Sequence, residues 1–65
     1  MEIRLNGKKQ TTECASLSIL IKESGFDRGA LIAEVNQQVI KQNDWADTPI
    51  REGDEIELLS FVGGG

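Results

Sequence analysis

Hydrophobic and polar positions alternate from Met1 to Leu5, with Ile3 and Leu5 on one side and Glu2 and Arg4 on the other. A period of two over such a stretch is the pattern of a half-buried strand. Asn6-Gly7 comes next, a dipeptide that readily takes the left-handed backbone of a tight hairpin turn. Lys8 to Glu13 is therefore read as a returning strand, and its almost wholly polar content suits a sheet edge. The period then changes. Leu17, Leu20 and Ile21 stand at i, i+3 and i+4, one face of a helix. Ser16 and Ser18 can each cap its first turn through the hydroxyl. Gly25 is placed to end it in the left-handed conformation. The helix so predicted has about two turns.

Ala30 to Val35 is apolar enough for a buried strand, Asn36-Gln37-Gln38 reads as a turn, and Val39-Ile40 begins another short strand. Asn43 to Ala46 suits a single helical turn that pins Trp45 on the core. Thr48-Pro49 stops any helix there. Glu52-Gly53-Asp54 is a turn, and Glu55 to Val62 is the last strand. The order is ββ-α-ββ-β. Residues 14–29 leave room for one crossover helix packed on a single face of the sheet. The expectation is an α+β domain with a mixed sheet over residues 1–62, followed by a flexible glycine tail at 63–65.

The last strand departs from simple alternation. Ile56, Leu58, Ser60 and Val62 share one face, and the other runs Glu55, Glu57, Leu59, Phe61. Its second half is thus largely apolar on both faces, although one helix covers only one side of a sheet. Either a loop covers Leu59 and Phe61, or they form an exposed apolar patch beside the tail, of the kind that marks a docking surface.

Composition narrows the function. The 65 residues make one small domain, 38% hydrophobic and 28% charged, which suits a globular fold. Eleven acidic side chains against seven basic ones give a formal net charge of −4. That balance argues against nucleic acid, whose phosphates need Lys and Arg, and against an anionic membrane. It favours a basic protein partner. The longest apolar run, Ala30 to Ala33, is far short of a membrane span. Met1-Glu2-Ile3-Arg4 leads into polar sequence, not the pattern of a signal peptide.

Catalytic chemistry is scarce. There is no histidine, and Cys14 is the sole cysteine, so an internal disulfide is excluded and a zinc site is argued against. A reducing cytoplasm is the expected compartment. Cys14 precedes the helix, where a thiol can gain reactivity; the plainer reading is a small buried hydrophobe. Glu55 and Glu57 point the same way on a strand and read as a solvated face. No phosphate-binding glycine pattern is present. The chain is expected not to be an enzyme.

What remains is the run Gly63-Gly64-Gly65 after Phe61-Val62. It reads either as an ordinary frayed end or as an arm whose carboxylate enters a narrow site, since glycine backbone approaches a partner most closely. A terminal carboxylate is ionised at neutral pH and can attack the α-phosphate of ATP to give an acyl-adenylate, open to capture by sulfur or an amine.

With that tail, the strand order resembles the ubiquitin-like sulfur carriers of the β-grasp fold, and within them the ThiS family of thiamine biosynthesis. The likeness rests on Leu5-Asn6-Gly7, Glu34 to Ile40, Trp45, Glu52 to Glu57 and Phe61 to Gly65, with a looser match from Thr11 to Glu23. The family has no role for Cys14, and its minimal tail needs two glycines where this chain has three. The resemblance implies that a ubiquitin-activating-like (ThiF-type) adenylyltransferase uses ATP and Mg²⁺ to adenylate Gly65. Sulfur from a cysteine-desulfurase route then makes the thiocarboxylate, and a ThiG-type thiazole synthase takes that sulfur. Gly63 and Gly64 would thread the partner's channel, and Leu59 and Phe61 would lie on the docking surface. The carrier itself would hold no metal or cofactor. Three other readings stay open: the small subunit of molybdopterin synthase, with the same tail chemistry; a protein modifier joined through Gly65; and a plain interaction module.

Overall fold

The computed structural model describes residues 1–26 and 28–60. Strand β1 (Glu2–Leu5) and strand β2 (Lys8–Thr11) form an antiparallel hairpin with Leu5 opposite Lys8. Asn6 and Gly7 make its two-residue turn, both at positive φ (52° and 83°), the geometry whose twist matches the strands. Helix α1 (Leu17–Ser24) starts at Ser16, whose hydroxyl accepts from the Ile19 N–H at 3.3 Å. Gly25 ends it at φ 78°.

Arg28–Ala30 form a 3₁₀ turn, so β3 begins one residue later than the pattern predicts, at Leu31–Val35. Asn36 and Gln37 make a second two-residue turn at φ 51° and 71°. Gln38 therefore belongs to β4 (Gln38–Ile40) and not to the turn. A 3₁₀ segment, Gln42–Asp47, carries Trp45 into the core. Trp45 is 1% exposed, and its indole N–H donates to the Ile40 carbonyl at 2.8 Å. Strand β5 (Glu55–Ser60) follows; the expected extension to Phe61 and Val62 lies outside the described residues.

The sheet order is β2-β1-β5-β3-β4, with β1 and β5 parallel and the other neighbours antiparallel. The last strand is thus the middle one, flanked by a hairpin on each side. Its inner residues Ile56 and Leu58 join Ile3, Leu31, Ala33, Trp45, Ile50 and the helix residues Leu17, Leu20 and Ile21 in one core. A short bridge ties the two connections beneath the helix: the Leu17 N–H donates to the Thr48 carbonyl (2.8 Å) and the Ile50 N–H to the Ala15 carbonyl (3.2 Å). This is the β-grasp fold, a mixed five-stranded sheet holding one crossover helix against one face.

Candidate functional site

With α1 on one face, the other face of the sheet is left open among the described residues. Alternation along β5 sends Glu55, Glu57 and Leu59 to it, and all three are exposed. Leu59 pairs directly with Ile32 of β3. Leu59 is 50% exposed, Ile32 38%, and Val39 of β4 64%. No described segment covers Leu59. The expectation of a buried third strand therefore holds only for its inner residues Leu31 and Ala33; Ile32 faces outward.

Beside this apolar group stand carboxylates. Glu57 pairs directly with Glu34 of β3, and Glu55 lies one step further along the same face of β5. The end of β5 and its neighbour β3 thus present exposed Leu59 and Ile32 with an acidic border. Phe61 and the glycines Gly63, Gly64 and Gly65, expected to form the rest of the site, lie outside the described residues. Ser60, the last described residue, lies in the central strand.

That strand is held from both sides by asparagine side chains. On the β1 side, the Asn6 N–H donates to the Ile56 carbonyl (2.9 Å), its Nδ2 donates to the Leu58 carbonyl (3.3 Å), and its Oδ1 accepts from the Leu58 N–H (2.8 Å). On the β3 side, the Asn36 N–H donates to the Glu55 carbonyl (2.7 Å) and its Oδ1 accepts from the Glu55 N–H (3.1 Å). Asn36 Nδ2 donates to the Asp54 carboxylate, which also accepts from the Arg51 N–H. Each asparagine is the first residue of a two-residue hairpin turn. Pattern reading finds the turns but not these second contacts. The one available signal is an Asn in both turns, a residue that tolerates positive φ and also carries an amide.

Other candidate chemistry is absorbed by the structure. Cys14 is buried; its N–H donates to Thr12 Oγ1 (3.1 Å) and its thiol lies 3.4 Å from a Glu23 carboxylate oxygen. Among the described residues no cluster of His, Cys, Asp or Glu could hold a metal ion, and no helix is long and apolar enough to cross a membrane.

The family model described as the ThiS family matches residues 3–65. The chain belongs to the ThiS family. It is 26% identical to the sulfur carrier protein ThiS of Thermus thermophilus, over 94% of this chain and 95% of that one. The crystal structure of the thiamine biosynthesis protein ThiS from Geobacter metallireducens superposes with a TM-score of 0.79 at 29% identity, and the match covers the whole of both chains. The chain is also 26% identical to a thiazole synthase of Paramagnetospirillum magneticum, over its whole length but only 20% of that protein's. The chain thus spans about a fifth of the thiazole synthase it matches. A ThiS-like stretch therefore occurs within a thiazole synthase polypeptide.

Proposed function

We propose that this chain is a sulfur carrier of thiamine biosynthesis, and that the Gly65 carboxylate is its working group. Membership of the ThiS family carries the reading. The fold supports it: the described part of the central strand runs to Ser60 beside an exposed apolar patch. A ThiF-type adenylyltransferase, using ATP and Mg²⁺, lets a Gly65 oxygen attack the α-phosphorus and releases pyrophosphate. Sulfur from a persulfide donor then displaces AMP. A thiol cleaves the acyl disulfide and leaves a thiocarboxylate. A ThiG-type thiazole synthase receives that sulfur. The chain contributes no catalyst to these steps and is a substrate carried between enzymes in the cytoplasm.

Gly63 and Gly64 thread the partner's channel, since neither offers a side chain to obstruct it. Leu59 and Phe61 dock on the partner, with Glu57 and Glu55 against basic groups. The thiazole synthase partner is supported by the ThiS-like stretch within a thiazole synthase chain, because joining two interacting modules raises their effective concentration. Genetic rescue tests the assignment. The chain should relieve a thiazole requirement in a strain lacking its own carrier, and a chain without Gly65 should not. Rescue of a molybdenum-cofactor requirement alone would overturn the thiamine assignment.

A further inference from the structure

The contacts of Asn6 have a second consequence. Strand β1 ends at Leu5 and the chain reverses, whereas its parallel neighbour β5 runs on to Ser60. The β1–β5 register stops at Leu5 opposite Ile56. A continuing parallel ladder would have the Asn6 carbonyl accept from the Leu58 N–H, and the N–H two residues on donate to the Leu58 carbonyl. At φ 52° Asn6 has turned away, and its side chain takes over both bonds, Oδ1 for the first and Nδ2 for the second. The amide acts as the next peptide group of a strand that has ended. Glycine would satisfy the turn alone, and aspartate would supply the acceptor without the donor. Of these, only asparagine meets the turn and both bonds.

We propose that Asn6 is a positioning residue for sulfur loading: its amide holds the β1-facing edge of β5 at Leu58, close to the end of the described strand. The inference rests on the carrier reading above. Leu58 is seven residues before Gly65 (58 to 65). β3 still pairs with β5 through Ser60, so losing the amide frees only the β1-facing edge of β5 at Leu58, and that edge must then be ordered when the carrier meets the activating enzyme. The chemistry takes place in that enzyme's site, so the loss falls on encounter and ordering and not on the chemical step.

The test is thiocarboxylate formation on the full chain with a ThiF-type enzyme, ATP, Mg²⁺ and a persulfide donor, comparing wild type, Asn6→Gly and Asn6→Asp. Ile50→Val, a core change, serves as the control for lost stability alone. Asn6→Gly should raise KM for the carrier about three- to tenfold, the cost of ordering one or two more residues at docking, with kcat unchanged. Asn6→Asp should give a smaller rise in the same direction. Amide exchange at Leu58 should quicken in Asn6→Gly, less in Asn6→Asp, which keeps an acceptor for that N–H, and not in Ile50→Val. A wild-type chain that gains no sulfur defeats the carrier reading itself. If wild type loads, an unchanged KM in Asn6→Gly, or an equal rise in Ile50→Val, overturns the positioning role.

Discussion

Glu34 and Glu57 stand directly opposite each other on neighbouring antiparallel strands, with both side chains on the uncovered face of the sheet. Like charges so placed oppose folding, typically by about 0.2–1 kcal/mol. The pair lies next to the Leu59–Ile32 pair, so repulsion and exposed apolar surface share one patch. A basic partner would offset both costs together.

Glu57→Gln should therefore stabilise the free domain by about 0.2–1 kcal/mol at low ionic strength, with less gain at high salt as the charges are screened. Affinity for the activating enzyme should fall in the same variant. Urea denaturation and a titration of binding measure the two effects. Tighter binding would contradict an acidic docking border.

Leu59→Ser should weaken partner binding by about 1–2 kcal/mol, part of the value of fully burying a leucine side chain. Half of the side chain is already exposed, so the cost in stability should be the smaller of the two. A stability loss as large as the binding loss would place Leu59 in the core's energetics instead.

Trp45 is buried and its indole N–H is satisfied by the Ile40 carbonyl. Trp45→Ala should cost about 3–5 kcal/mol, close to the whole stability of a domain this small, and leave the chain largely unfolded by circular dichroism. Trp45→Phe should remain folded with a lower midpoint in urea, because it keeps most of the volume and loses the hydrogen bond.

Gln37 holds φ 71° without being glycine. The left-handed conformation costs an L-residue about 1–2 kcal/mol, and glycine's extra chain entropy returns about 0.5–1 of that. Gln37→Gly should thus raise stability by about 0.5–1 kcal/mol, read from thermal or urea unfolding. A loss of stability would mean that the Gln37 side chain supports the turn.

The elements were legible in the sequence because local chemistry and tertiary packing agree there. Asn6-Gly7 makes the turn it predicts, Leu17, Leu20 and Ile21 face the core, and Gly25 ends the helix. Ser16 and Ser18 could not be separated by propensity. The structure caps with Ser16, while the Ser18 hydroxyl accepts from Arg28. Ile32 reads like its buried neighbours but faces outward, because an apolar residue does not reveal which face of a strand will be covered. The patch it forms with Leu59, and the opposition of Glu34 to Glu57, arise from β3–β5 register. Register joins residues more than twenty positions apart and leaves no local mark. The Asn6–Leu58 contact is hidden for the same reason.

The central claim is that Gly65 carries the sulfur. Its most direct test is the intact mass of the chain after incubation with ATP, Mg²⁺, a ThiF-type enzyme and a persulfide donor, followed by fragmentation to locate the change. Replacement of one oxygen by one sulfur at Gly65 is expected, and no such change in a chain lacking that residue. An unchanged mass with a demonstrably active enzyme, or a change placed elsewhere in the chain, would contradict it.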